Sequence, residues 1–274
     1  DGVRLIITVD NGITDVAPVD RANQLSIDVI ITDHHLPQAK VPNAYAILNS
    51  KQQDDKYPFD MLCGAGVAFK LVQALLSARL REGAASSLCE EVDIPSGWEK
   101  WLLDMAGLST IADMVPLRGE NRVLAYFGLK VLQKSSRPGL MKLLYKARVS
   151  QSSLCEEDVG FTIAPRINAA SRMGEPIYGF NLLAETDDTK AGVCAEYLEG
   201  KNNERKRAVD KMMREVDKMM EADDGLSVIV VGHKDWAPGV VGLAAGRIVD
   251  KYKRPAFVWG CLGSDEIKGS CRSD

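Results

Sequence analysis

The chain lacks several features that would place it in common classes. It has no run of 18 or more apolar residues, so no transmembrane helix is expected. No secretory leader pattern is visible. Its six cysteines (Cys63, Cys89, Cys155, Cys194, Cys261 and Cys271) include no C-x-x-C pair. A zinc ribbon or a disulfide framework is therefore not expected, and reduced thiols in the cytoplasm fit better. Positive charge is not in excess: 34 Lys and Arg against 38 Asp and Glu leave a net charge of −4. That argues against a generally basic binder of polyanions while leaving room for a local basic groove. Histidine is scarce, with three in all.

What is present is a globular composition, 46% apolar and 26% charged. A length of 274 residues fits one large domain or two ordinary ones, with enough core to need no staples. The chain opens on Asp1-Gly2 rather than Met, a few residues before a strand, and closes inside a domain pattern. Truncation at both ends is the expectation.

Two of the three histidines stand side by side in Val29-Ile30-Ile31-Thr32-Asp33-His34-His35. A short continuous apolar run reads as a buried parallel strand, and ligands of open α/β sheets collect beyond the carboxyl ends of such strands. Imidazole beside carboxylate suits Mn, Fe, Zn or Mg-type ions. The competing reading is structural, one histidine buried and the other solvated. Upstream, Arg4 to Val9 is a second strand ending at Asp10, before the turn signal Asn11-Gly12. With a crossover helix over 15–25 this makes a βαβ unit. Parallel strands would put Asp10 and Asp33 on one sheet edge, a plausible two-metal site for phosphoester hydrolysis. The plainer reading of Asp10 is a turn residue.

Further along, 44–48 is strand-like, and Cys63-Gly64-Ala65-Gly66 leads into an apolar helix reaching about Leu80. Its two glycines allow either close packing, the favoured reading, or approach to a phosphate. Residues 82–97 read as a polar surface connection. A helix is expected over 98–108, with Trp98 and Trp101 as core or edge residues. Asp113 then sits inside the apolar run Thr110 to Leu117; an isolated buried carboxylate is costly, so it caps, pairs or meets a metal. Helices follow at 119–133 and 138–147. Arg166 and Arg172 lie in a small-residue, mostly apolar context, where a guanidinium binds either a protein carboxylate or a phosphate. Their spacing of six implies a loop or a helix end.

Residues 187–222 read as one long helix connecting two domains. It carries an apolar stripe through Val209, Met212, Met213, Val216, Met219 and Met220. Its basic middle, Lys201, Arg205, Lys206, Arg207, Lys211 and Arg214, reads as a solvated face. A second α/β unit follows: strand 226–231, helix 240–251 opened by Gly239 and Gly242, and strand 255–259. The final Gly269 to Ser273 reads as a turn suited to phosphate.

Asp10-Asn11-Gly12, Asp33-His34-His35, Ile111 to Leu117, Pro165 to Arg172, Trp236 to Arg247 and Gly269 to Ser273 fall in the order found in the DHH phosphoesterase superfamily. Over nearly its whole length the chain resembles the RecJ-like exonucleases of that superfamily. The resemblance implies an α/β fold: a DHH domain with a parallel sheet flanked by helices (1–186), a connecting helix (187–222), and a smaller α/β DHHA1 domain (223–274). It implies a 5′→3′ exonuclease that hydrolyses single-stranded DNA to 5′-mononucleotides in repair or recombination, using two Mn²⁺ or Mg²⁺ ions. Asp10, His34, His35 and Asp113 would be ligands, and Asp33 a ligand or a group orienting the histidines. Arg166, Asn168 and Arg172 would face DNA phosphates, while Ser270, Arg272 and Ser273 would grip the 5′ nucleotide. A monomer in the cytoplasm is implied, with a single-strand-binding protein as a partner and no membrane. Alternatives are a phosphodiesterase for short oligonucleotides or cyclic dinucleotides, and a non-catalytic DNA-binding scaffold.

Three departures stand out. Ala237 replaces the family's His, and Cys271 replaces a Gly, which is expected to stiffen the phosphate loop. The family's earlier Asp-x-Asp strand and a further carboxylate motif are not present. This stretch alone is therefore expected to hold part of the metal site and to be inactive.

Overall fold

A computed structural model describes residues 2–82, 94–221, 225, 227–263 and 265–273. Most of the polar connection expected over 82–97, including Cys89, and the start of the strand expected at 226 lie outside the described residues.

In chain order the elements are β1 (Leu5–Val9), α1 (Val16–Gln24), β2 (Asp28–Thr32), β3 (Ala46–Leu48) and α2 (Gly64–Glu82). A 3₁₀ segment (Trp98–Leu102) leads into α3 (Leu103–Ala112), followed by α4 (Gly119–Leu132) and α5 (Pro138–Ala147). The single turn α6 (Glu156–Asp158) and a π-helical turn (Val159–Ile163) precede α7 (Ala164–Arg172) and α8 (Ile177–Ala184). The last elements are α9 (Asp188–Met220), β4 (Ile229–His233), α10 (Pro238–Tyr252), β5 (Ala256–Gly260) and β6 (Lys268–Arg272). The chain divides into two compact units, residues 1–135 with 149–161, and residues 136–148 with 162–274.

The first unit carries a parallel sheet of order β1-β2-β3. Val9 pairs with Thr32, and Thr32 with Leu48. That register delivers Asp10 and Asp33 side by side at the carboxyl edge. Val19, Ala22, Val29 and Ile31 form the apolar layer between α1 and the sheet. β1 is an edge strand, and Leu5, Ile6, Ile7 and Val9 are partly exposed. A second layer packs Leu62, Val67 and Phe69 against Ala106 and Leu124. There α3 and α4 cross at a glycine pair: a Cβ on Gly107 would lie 2.6 Å from the Gly128 Cα. Only bare backbone allows this approach.

The expected helix at 98–108 is a 3₁₀ turn running into α3, and Trp98 and Trp101 are exposed rather than core residues. Asp113 is not buried in an apolar run. It is the exposed C-cap of α3, with the left-handed Met114 (φ 56°) behind it.

In the second unit the order is β4-β5-β6, with β5 parallel to β4 and antiparallel to β6. The 33-residue α9 begins at an Asp187 cap, whose carboxylate accepts from the Lys190 N–H at 2.8 Å. It packs within this unit against α5, α7, α8 and α10. Val209, Met212 and Val216 are buried against Val240, Ala244 and Ile248, while Met219 is exposed. Each fully buried aliphatic chain contributes about 1.5–3 kcal/mol, and together these fix the rotation of α9 against α10. The Gly269 to Ser273 stretch, expected as a turn, is β6: its groups pair with β5 from Lys268 to Arg272.

Candidate metal centre and anion cleft

Asp33 follows β2 directly and is 1% exposed. One oxygen accepts from the Ile13 N–H at 2.9 Å. The other accepts from the His34 N–H at 2.7 Å, the His35 N–H at 3.2 Å and the His35 ring Nδ1 at 2.7 Å. Burial pushes this carboxyl up, but those hydrogen bonds outweigh it and hold the acid below its ordinary range. Asp33 is thus a saturated anchor rather than an open donor. Its bond to His35 Nδ1 leaves His35 Nε2 as the free ring nitrogen, the arrangement in which a carboxylate orients a metal-binding imidazole. Asn49, buried at the end of β3, donates to the His35 carbonyl at 2.9 Å and braces the same loop.

His34 turns the other way. Its Nε2 lies 3.0 Å from Asp10 Oδ1 and 3.6 Å from Asp113 Oδ2. Asp10 reaches this position through a left-handed backbone (φ 64°), its N–H donating to the Thr32 carbonyl at 2.9 Å. A non-glycine residue is uncommon there, and Asp is among those that tolerate it. Burial, assisted by the Asp113 and Asp33 charges, raises the Asp10 pKa against the lowering effect of His34 and His35. Asp113, at the negative end of the α3 dipole, is an unfavourable place for a carboxylate without a cationic neighbour.

Donor atoms of Asp10, His34 and His35 all lie within 4.8 Å of one another. Oxygen and imidazole donors crowded at mutual cost fit a divalent ion of the Mn²⁺ or Mg²⁺ type. Three of the five sequence-expected centre residues, Asp10, His34 and His35, come together, Asp113 lies 3.6 Å from His34, and Asp33 holds His35 through its ring nitrogen.

The second unit holds a site of opposite sign. A cleft of about 340 Å³ is lined by Arg172, Arg205, Lys206, Arg247 and Arg272, with Asp250 the one carboxylate among them. Arg172, the last residue of α7, donates to the Gly239 carbonyl at 3.4 Å. Arg205 is half-buried; one Nη donates to Asn202 Oδ1 at 2.9 Å, while its buried Nε has no hydrogen-bond partner. Burial and the charges of Arg172, Arg247 and Arg166 lower its pKa. A guanidinium stays protonated regardless, so the crowding is a standing cost that an anion would relieve. Arg247 is partly offset by Asp210 at 2.6 Å.

On β6, Ser270 and Arg272 face α10: a Cβ on Gly242 would meet Ser270 Oγ at 3.2 Å and the Arg272 guanidinium at 3.5 Å. By strand alternation Cys271 thus lies on the face of β6 away from Ser270 and Arg272. Ser273 lies just beyond the strand. Ala237 is the N-cap of α10 and gives it no side-chain cap.

Not every expected phosphate residue joins the cleft. Arg166 donates to Glu199 at 2.6 Å and to the Thr162 carbonyl at 2.8 Å, so it is committed to an ion pair. Asn168 is exposed on α7 and is not among the lining residues. Conversely, Arg205 and Lys206, read as part of a solvated face, line the cleft. The available signal was phase: Asn202, Arg205, Val209, Met212 and Val216 share one stripe of α9, and a cation in an apolar stripe marks a buried charge.

Residues 4–94 match the DHH family, N-terminal domain. The chain is 42% identical to the single-stranded-DNA-specific exonuclease RecJ of Bacillus subtilis over 270 residues, covering 98% of this chain and 31% of that protein. It is 37% identical to RecJ of Escherichia coli over 278 residues, 99% of this chain and 48% of the relative. Among solved structures, RecJ of Thermus thermophilus in complex with Mn²⁺ superposes with a TM-score of 0.81 at 33% identity, covering 99% of this chain and 38% of that one. An exonuclease RecJ bound to manganese gives 0.78 at 34% identity, covering 99% and 63%. The chain thus spans less than half the length of these two curated relatives. Residues 4–94 are thus similar to the DHH family, N-terminal domain, and over nearly its whole length the chain is similar to the single-stranded-DNA-specific exonuclease RecJ.

Proposed function

We propose that this chain supplies part of a metal-dependent 5′→3′ exonuclease acting on single-stranded DNA. The observation that carries the reading is the clustering of Asp10, His34 and His35, with Asp113 3.6 Å from His34 and the buried anchor Asp33 bonded to His35. Bound divalent ions would activate a water and neutralise charge developing on the phosphodiester. Asp10, His34, His35 and Asp113 would hold them. Asp33 fixes the His35 tautomer and the loop geometry. The cationic cleft of Arg172, Arg205, Arg247 and Arg272, with Ser270, would take phosphates of the strand and its 5′ end, and Ser273 adjoins it. Arg166 supports that region through Glu199, and Asn168 offers an exposed amide. In this reading residues 1–186 belong to a DHH domain and residues 223–274 to a DHHA1 domain, with α9 as the helix between them in sequence. The enzyme works as a cytoplasmic monomer on strands presented by a single-strand-binding protein, in repair or recombination.

The test uses the full-length protein containing these residues, with single-stranded DNA labelled at either end and Mn²⁺ supplied. Shortening from the 5′ end to mononucleotides, abolished by His34→Ala, is expected. Degradation only from the 3′ end, or equal attack on duplex, would sink the reading. Dinucleotides consumed much faster than long strands would assign a small-substrate phosphodiesterase, and metal-independent binding without cleavage a scaffold.

A further inference from the structure

We propose that Gly64 is a positioning residue of the metal centre: the bare backbone opening α2 holds the Asp10 carboxylate against His34. The inference deepens the metal-centre reading above and rests on it. A Cβ built on Gly64 would lie 2.3 Å from Asp10 Oδ1, 2.4 Å from its Cβ and 2.5 Å from its Cγ. No rotation of the carboxylate alone relieves a contact that includes the Asp10 Cβ. The oxygen crowded most is Oδ1, which faces His34 Nε2 at 3.0 Å.

Asp10 therefore sits between the imidazole on one side and the Gly64 Cα on the other. Its backbone cannot retreat freely. It already occupies the left-handed region (φ 64°) and is tied by its N–H to the Thr32 carbonyl at 2.9 Å. Gly66, two residues on, differs: its nearest atoms would be at 3.5 Å, ordinary contact. The pair of glycines thus separates into one position where a methyl group must displace a metal ligand and one where it fits. Adding that methyl should move Asp10 Oδ1 away from the shared point, and a misplaced ligand weakens the ion's hold.

The experiment is a double-mutant cycle on the full-length protein, read by urea midpoint without metal and by Mn²⁺ affinity from the free-ion paramagnetic resonance signal. Gly64→Ala is expected to lower Mn²⁺ affinity about 10–100-fold, the range seen for lost ligand support, while Gly66→Ala stays within about twofold. Gly64→Ala should also lower the midpoint, and most of that shift should vanish in an Asp10→Gly background, where the colliding side chain is gone. Wild-type-like Mn²⁺ affinity in Gly64→Ala, or an equal midpoint loss with and without the Asp10 side chain, would overturn the proposal. Failure of the unmutated protein to bind Mn²⁺ would instead overturn the metal reading, while the metal-free cycle would still decide whether Gly64 sets Asp10.

Discussion

The two sites of this chain are built in opposite ways. The centre in the first unit gathers carboxylates and imidazoles at one sheet edge, and three of its five residues are consecutive: Asp33, His34 and His35. The cleft in the second unit gathers cations from α7, α9, α10 and β6, which are far apart in sequence. One crowds electron-pair donors until a cation is wanted; the other crowds guanidiniums until an anion is wanted. In both, a pKa is pushed against the charged form by burial and like charges, at Asp10 and at Arg205. The comparison teaches that an unfavourable electrostatic arrangement, held by a stable scaffold, is a stronger sign of a ligand than any single residue type.

The comparison is sharpened most by removing one site while reading the other. His34→Ala should lower turnover by at least about 10²-fold, the scale of losing one fixed electrostatic stabiliser, while metal-free binding of single-stranded DNA changes less than about twofold. Loss of DNA binding in that variant would mean the two sites are not separable.

Arg205→Ala is the reciprocal change. A charge-assisted hydrogen bond contributes about 1.5–3 kcal/mol, so affinity for single-stranded DNA should fall about tenfold or more. The slope of log K against log salt should shrink by about 0.7, one phosphate contact on a single strand. Titration at several salt concentrations checks both, and Mn²⁺ affinity should not move.

Asp33→Asn probes the anchor rather than a donor. Mn²⁺ affinity should drop about 10–100-fold through loss of orientation of His35. The pH dependence carries its own sign. Asp33 has a folded pKa below the ordinary 3.8. Its ionised form therefore stabilises the fold fully above that value, and the contribution is lost as pH falls through the folded pKa. Urea midpoints measured across the acid range should lose part of that acid dependence in Asp33→Asn; an unchanged acid limb would remove Asp33 from the account.

The smallest effect is expected at Cys271→Gly. The side chain leaves β6 on the face away from Ser270 and Arg272, so DNA affinity should stay within about twofold. Stability should fall by about 0.5–1 kcal/mol, the cost of Gly in a strand, as read from thermal unfolding.

The sequence by itself determined the βαβ unit, the carboxylate at the end of each strand and the adjacent histidines. Strand periodicity and register depend on near neighbours, so the meeting of Asp10 and Asp33 was legible before any coordinates. It also determined the long helix and the apolar stripe from which Val209, Met212 and Val216 are buried. Other features belonged to the tertiary structure alone. Asp113 comes to 3.6 Å from His34, a meeting of distant elements that no local pattern encodes. Arg166 is drawn to Glu199, 33 residues away, rather than to the cleft. The terminal Ser and Arg residues lie on a strand because β5 offers its edge, overriding a turn-like composition. Arg205 faces the other arginines because packing of α9 on α10 fixes the helix rotation. Local hydrogen bonding and side-chain periodicity are written along the chain, whereas the meeting of distant charges depends on how packed elements are rotated and spaced.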